Sequence, residues 1–362
     1  MNTFRLYGSW NQVLGQWLSD TCRTRRANLI WLIVGLYLGG RVQASAIVKH
    51  WGVRAKVASL TRRLSRFLDN KAVRPAVWYR PVARRLLAAW GGPTLTLIID
   101  ATRVGAGRQL VMVALAYRKR ALPVAWTWVT YVKGHVALEI QTAVLRRAAG
   151  LVPAGVTVTL VGDAGFGSVG LMRAATEWGW QYVLRQTGKH LVQLAGASDW
   201  RRLDTLLSGP GQESWLTDVR FTRRWGQTTH VLAYWAAGQA DAWLLTTNLL
   251  DARTTRLAYA RRMWIEEMFG DWKGHGWDLE TTHLRHPDRL SRLVLALALL
   301  YIWLVLYGVR VIRAGWRTWV DRRERRDLSL FRIGQDVLQR CFTLVLQPPL
   351  PLPSLVGGPT VR

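Results

Sequence analysis

Two aspartates stand out for where they sit. Asp100 closes the apolar run Leu95, Leu97, Ile98 and Ile99, and Asp163 closes a second run, Val156–Val161, after Gly162. A carboxylate at the carboxyl end of a buried strand lies where α/β sheets hold their ligands. If the two strands run side by side and parallel, both carboxylates converge on one sheet edge. Converging carboxylates repel, so something cationic must sit between them. A hard divalent metal with oxygen ligands answers that need, and Mg2+ fits. The plainer reading makes each Asp a turn former or helix cap at the start of a loop.

A third acid lies in a stretch read as one helix, Arg256–Lys273. At about 100° per residue, Tyr259, Arg262, Glu266 and Lys273 share one narrow polar stripe. Trp264, Ile265, Met268 and Trp272 form an apolar face turned the other way. Glu267 lies about 100° off the stripe, which leaves Glu266 as the candidate acid. The plainer reading is a solvated helix with Arg262–Glu266 as an i,i+4 ion pair.

The elements that must carry these residues follow from the pattern. After the boundary Gly91–Gly92–Pro93, strands are expected at Thr94–Ile99, Gln109–Tyr117 and Leu122–Val132. A helix over Val136–Ala149, a strand over Val156–Val161, a helix over Val169–Trp178 and a strand over Trp180–Leu184 complete an order βββαβαβ. That order predicts a mixed sheet with a crossover. From Thr187 to about Leu250 helical periodicity is lost, and short strands at Trp215–Phe221, Thr229–Tyr234 and Trp243–Thr247 predict a β-rich insertion. Arg289–Val311 is a long apolar helix, and Leu328–Leu346 is helical for part of its length. The Pro-rich tail from Pro348 is expected to be disordered.

Charge narrows the partners. The 362 residues carry 50 Lys and Arg against 22 Asp and Glu, a net charge of +28. Such a chain needs an anionic partner, nucleic acid or an anionic membrane surface. Residues 1–92 hold 16 of the cations and only Asp20 and Asp69 as acids. Helices are expected there at Ala27–Leu38, Val42–Trp51 and Arg54–Leu68, the last carrying Arg62, Arg63 and Arg66. Two helices across a short Gly turn, the second basic, suit insertion into a DNA major groove. Cys22 and Cys341 are the only cysteines, so neither a disulfide framework nor a zinc cluster is built from them. No secretory signal is expected in the first 20 residues. The apolar stretches Ala27–Gly40 and Leu293–Val309 read as buried helices rather than membrane spans.

Tyr259, Arg262, Glu266 and Lys273 together match Y-x2-R-x3-E-x6-K, and Trp264-Ile265-Glu266-Glu267-Met268-Phe269 with Trp272-Lys273 accompanies them. In this the chain resembles a large group of bacterial insertion-sequence transposases with a DDE active site. The likeness follows the order of elements over roughly residues 20–310 and is strongest over 243–273. Asp100 and Asp163 stand where that group's two aspartates stand, and a β-rich insertion before the Glu is also a feature of the group.

The resemblance implies an α/β fold with an RNase H-like mixed sheet flanked by helices, a β-rich insertion and an N-terminal all-helical DNA-binding region. The expected divisions are 1–92 for the basic helical region, 93–186 and 251–312 for the two parts of the core, 187–250 for the insertion, 313–347 for C-terminal helices and 348–362 for the tail. It implies cut-and-paste excision and strand transfer at terminal inverted repeats, through a hairpin at the element end. Asp100, Asp163 and Glu266 would be the catalytic residues and would hold two Mg2+ ions, with Mn2+ able to substitute. Arg262 and Lys273 would grip phosphates, Arg by a bidentate fork. Tyr259 would hydrogen-bond a phosphate, and Trp243 would stack on a flipped base. Among 21 Trp, however, any one is more often core than platform. The implied partners are double-stranded DNA, as inverted repeats and target, and a second copy of the chain, since two ends are joined in concert. The implied setting is the bacterial cytoplasm, at the nucleoid.

Other residues carry less. Arg185 and Lys189 follow the fifth strand and are candidate phosphate contacts, as is Arg103 beside Asp100. His275, His283 and His286 match no zinc spacing. Gly165-Phe166-Gly167-Ser168 lacks the Lys and the spacing of a P-loop. Two nearby readings stay open: a catalytically inactive DNA-binding relic of such an element, and a structure-selective nuclease. A basic membrane-associated protein built on Leu293–Val309 is the distant one, and release from its partner by salt would argue against it.

Overall fold

The computed structural model describes residues 2–18, 21–105, 107–131 and 136–344. The tail from Pro348 and the expected strand end at Val132 lie outside them. Two compact units emerge: Met1–Gly91 with Arg103–Arg108 and Met268–Arg362, and Gly92–Thr102 with Gln109–Glu267.

The first unit is helical. It opens with α1 (Asn2–Trp17), α2 (Arg23–Gly39), α3 (Ala44–Val48), α4 (Val57–Asp69) and α5 (Pro75–Ala88). The expected helix over Val42–Trp51 is only the five residues of α3. Its chain turns off at Lys49, and Gly52 then passes so close to the Phe4 ring that a Cβ there would collide with it.

The second unit is built on strands β1 (Thr94–Val104), β2 (Arg108–Tyr117) and β3 (Arg120–Thr130), then α6 (Leu138–Ala149), β4 (Thr157–Gly162), α7 (Val169–Glu177) and β5 (Gln181–Arg185). There follow β6 (Leu191–Gln193), β7 (Arg201–Arg202), β8 (Glu213–Phe221), β9 (Gln227–Tyr234), β10 (Trp243–Thr247) and α8 (Ala252–Ala260). All ten strands form one sheet in the order β3-β2-β1-β4-β5-β10-β9-β8-β6-β7. The β-rich insertion therefore extends the core sheet rather than standing apart: β10 returns antiparallel beside β5, with Thr246 opposite Leu184. β1 and β4 are parallel, in register from Thr94↔Thr157 to Ile99↔Gly162, and β5 runs parallel to β4. The apolar runs that predict β1 and β4 are buried along nearly their whole length, as expected of strands covered on both faces. This mixed sheet, flanked by helices, is an α/β fold, and the residues before it are all helical.

The chain leaves this unit along α9 (Met263–Trp272) and ends in α10 (Pro287–Arg313) and α11 (Leu330–Thr343). α10 has a mean hydropathy of 2.2 over its most apolar window, enough to cross a membrane by length and composition, yet 83% of that window is buried. It packs against α2, α4, α5 and α11. Gly308 and Gly334 let α10 and α11 touch backbone to backbone, since a Cβ on either would strike the other helix's carbonyls. Buried Arg292 donates to Leu68 O at 2.9 Å, a carbonyl that α4 leaves open at its end, and to Val73 O at 3.0 Å in the connection to α5.

Candidate active site

Asp100 and Asp163 each follow the last parallel pair, Ile99↔Gly162, so the register itself sets them side by side. β1 does not end at Asp100, as the sequence suggests, but continues to Val104. The parallel pairing stops while the strand goes on, which holds the Asp100 side chain on rigid backbone. Its Oδ1 accepts from Ala101 N at 2.7 Å. Asp163 caps the short 3-10 turn Ala164–Phe166, its Oδ1 accepting from Gly165 N at 2.9 Å.

The expected single helix over Arg256–Lys273 is two, α8 and α9, broken at Arg261–Arg262. Arg262 N donates to Tyr259 O at 2.8 Å and Ile265 N to Arg262 O at 3.3 Å, three-residue spacings that tighten the chain where the helix breaks. Arg261 Nη1 anchors the corner on Thr96 Oγ1 at 2.6 Å. The break turns the Arg262 guanidinium into the gap between the acids. Its Nη2 lies 3.3 Å from Asp100 Oδ2 and 3.7 Å from Asp163 Oδ2, and its Nη1 bonds Glu266 Oε1. Glu267 faces elsewhere and pairs with Arg120 at 3.0 Å, in keeping with Glu266 as the candidate acid.

Three carboxylates thus share one guanidinium. Asp100 is 5% exposed. Burial pushes its pKa up to about 7, against the pull of Arg262, and the neighbouring Asp163 and Glu266 push the same way. Burial works against the charge on Arg262 too, but Asp100 and Glu266 outweigh it and hold its pKa above the usual arginine range. Its Nε is buried without a hydrogen-bond partner. The convergence that the sequence suggests is present, and the cation between the acids is a side chain. Sequence reasoning saw only the Arg262–Glu266 pair. The signal for the rest lay in its own premise that converging aspartates demand a cation.

Among the described residues no three His, Cys, Asp or Glu side chains are gathered closely enough to hold a metal ion. The Arg262 guanidinium fills the space between these three. The donor set still suits a hard divalent ion: all donors are carboxylate oxygens, and three negative charges face one positive charge.

Beside this cluster, Trp243 meets Tyr259 edge-on, ring centroids 4.9 Å apart, and lies 5.9 Å from Tyr234. Trp243 is half-buried against an apolar cluster of Val161, Val183 and Leu245. The Tyr259 hydroxyl is buried with no hydrogen-bond partner. Burial raises its pKa, with Arg185 and Arg262 pulling the other way. Arg185 Nη2 donates to Ala242 O at 3.2 Å, and Lys189 is exposed. The remaining candidates belong to the helical unit. There Lys273 pairs with Glu280 at 2.6 Å. Arg62 and Arg66 are exposed on α4, whereas Arg63 donates to Asn28 Oδ1 at 2.8 Å and lies over the Trp51 ring.

A family model described as "Transposase DDE domain" matches residues 91–303, more than half of the chain. The chain belongs to this family of DDE transposases, enzymes of DNA transposition that break and join phosphodiesters, generally with divalent metal ions. A search of curated proteins finds no match. Among solved structures the chain is similar to a piggyBac transposase in a synaptic complex with hairpin DNA, at 12% identity and a TM-score of 0.45, covering 96% of this chain and 80% of that one.

Proposed function

We propose that this transposase serves an insertion sequence of the Y-x2-R-x3-E-x6-K group, excising it at its terminal inverted repeats and joining it to target DNA. The observation that carries the reading is the convergence of Asp100, Asp163 and Glu266, two from where the parallel β1–β4 pairing stops and one from a helix, on a single cation. These three are the proposed ligands of Mg2+, for which Mn2+ would substitute. Bound there, a divalent ion would activate an attacking water or 3′-hydroxyl and stabilise the departing oxygen. Arg262, released from the acids, would fork onto a phosphate of the incoming strand. Tyr259, its hydroxyl buried beside Arg185, would donate to a phosphate nearby. Trp243, Arg185, Lys189 and Lys273 are the further proposed DNA contacts. The basic helices of residues 1–92, with Arg62, Arg63 and Arg66, would hold the repeat sequence, and 187–250 would act as the insertion. A homodimer, with contacts among the C-terminal helices, would pair two ends in the bacterial cytoplasm. Cleavage through a hairpin belongs to the same reading and rests on the signature.

The test is cleavage of DNA carrying the gene's own flanks, with Mg2+ and with EDTA, beside Asp100→Ala and Glu266→Ala. Double-strand breaks at the flank boundaries with transient hairpins, absent in EDTA and in both variants, are expected. Binding without cutting by any form would overturn the mechanism and leave a DNA-binding relic.

A further inference from the structure

The turn between β8 and β9 carries a cluster of cations that the proposed chemistry does not use. Thr222 takes φ +60° and Gly226 φ +54°, and Gly226 N closes onto Thr222 O at 2.9 Å. Trp225 N also reaches Thr222 Oγ1 at 3.3 Å. The turn is fixed to its surroundings. Thr222 N donates to Leu191 O at 2.9 Å. Arg173, from α7, donates to Trp225 O at 3.1 Å and Gln227 Oε1 at 3.0 Å. The result holds the Trp225 indole 51% exposed on a structured loop.

Four guanidiniums gather on two indoles there. Arg173 and Arg224 lie 5.7 and 5.0 Å from the Trp225 ring, and Arg220 and Arg223 lie 5.9 and 5.8 Å from the Trp200 ring. Among the described residues none of the four has an ion-pair partner. In a chain of net charge +28 an unpaired arginine is ordinary. Four of them held in place by aromatic rings and a built turn are not. Nearby arginines show the contrast: Arg201 pairs with Asp199 and Arg202 with Asp204. Stacked, like-charged guanidiniums call for an external polyanion, and planar forks beside an exposed indole suit a row of phosphates.

We infer that the β8–β9 turn is a sequence-independent contact for the DNA backbone, formed by Arg173, Arg220, Arg223 and Arg224 and held in place by Trp200 and Trp225. The inference rests on the reading of the chain as a DNA-handling transposase and deepens it. β9 separates the turn from Tyr234, which packs on Trp243, by eight residues, about 24 Å of strand. At about 3.4 Å per base step that is roughly seven base pairs, so the turn would hold DNA outside the cut site.

The test is equilibrium binding of the full chain to duplex DNA, with element-end and unrelated sequences, over a series of salt concentrations without divalent metal. Each phosphate contact contributes about 0.9 to the slope of log K against log salt. Arg223→Ala/Arg224→Ala should lower the slope by about 2 and weaken both duplexes alike, by about tenfold at moderate salt. Arg223→Lys/Arg224→Lys, which keeps the charge, should retain most of the slope. Trp225→Ala should lose part of it and Trp225→Phe should restore it, an outcome expected only if the ring positions the arginines. Melting temperatures of all variants should match that of the unsubstituted protein. An unchanged slope in the double alanine variant overturns the inference and leaves the transposase reading intact. Failure of the unsubstituted chain to bind any duplex overturns both.

Discussion

Arg262 and the β8–β9 turn are opposite solutions to the same problem of placing charge. At Arg262 three acids compete for one guanidinium that is nearly buried. At the turn four guanidiniums share two indoles, and among the described residues no acid pairs with them. The first site has surplus negative charge and room for a cation in place of the one it holds. The second has surplus positive charge and needs an anion from outside. If the proposed reading holds, they would separate two tasks that one basic protein must keep apart: gathering a metal at the scissile bond and holding the polyanion that contains it. Phosphate-gripping arginines at the acids without carboxylate partners would repel a metal, and acids at the turn would repel DNA.

The comparison breaks most sharply at the acids. Asp100→Ala and Glu266→Ala should each lower cleavage by on the order of 10²–10³-fold or more, the usual cost of removing a group that stabilises developing charge. DNA binding in EDTA should persist. Loss of binding with the same variants would mean the acids serve the fold rather than the reaction.

Arg262 tests the exchange itself. If its guanidinium competes with a metal, Arg262→Gln should bind Mn2+ about tenfold more tightly without DNA, the equivalent of one modest ion pair. Titration calorimetry or the paramagnetic signal of Mn2+ reads this without any turnover. The same variant should cleave DNA more slowly, since the phosphate fork is lost. Weaker metal binding in Arg262→Gln would show that the arginine organises the acids rather than standing in their metal's place.

A smaller effect follows from Asp100. The folded protein holds its proton up to about pH 7, whereas an unperturbed carboxyl releases it near 3.8. Between those values the folded state binds a proton that the unfolded chain has lost, so this group lowers stability as pH rises through the window. In EDTA, Asp100→Asn should therefore melt about 3 °C above the unsubstituted protein at pH 8 and no higher at pH 4. Equal melting temperatures at pH 8 would mean Arg262 already compensates the charge in full.

Much of this geometry was legible in the residues. Two apolar runs ending in Asp, separated by strands and a helix, forecast parallel neighbours, and the register from Thr94↔Thr157 onward aligns their ends. Helical phase singled out Glu266 over Glu267, and Glu267 turns to Arg120. The same phase failed across Arg261–Arg262, because periodicity assumes an unbroken helix and the break depends on a distant anchor, Arg261 on Thr96. The insertion's place in the core sheet was hidden for a similar reason. Strand propensity marks β10, but its pairing with β5 is a long-range choice that local pattern does not carry. The β8–β9 cluster was written in Arg223-Arg224-Trp225-Gly226, yet only the fold brings Arg173 and Trp200 to it.

Tyr259 gives the smallest and most discriminating change. Its ring packs edge-on to Trp243, while its hydroxyl is buried beside Arg185 without a well-formed hydrogen bond among the described residues. A buried hydroxyl without a partner carries a desolvation cost and no compensating bond, so removing it should be neutral or slightly stabilising. Tyr259→Phe keeps the ring and should leave the melting temperature unchanged or about 1–2 °C higher. If the hydroxyl instead waits for a phosphate, the same variant should cleave several-fold more slowly. A stable variant with reduced cleavage would assign the hydroxyl to the DNA. A variant as stable and as active as the unsubstituted protein would reduce Tyr259 to a packing residue under Trp243 and leave the phosphate to Arg262 alone.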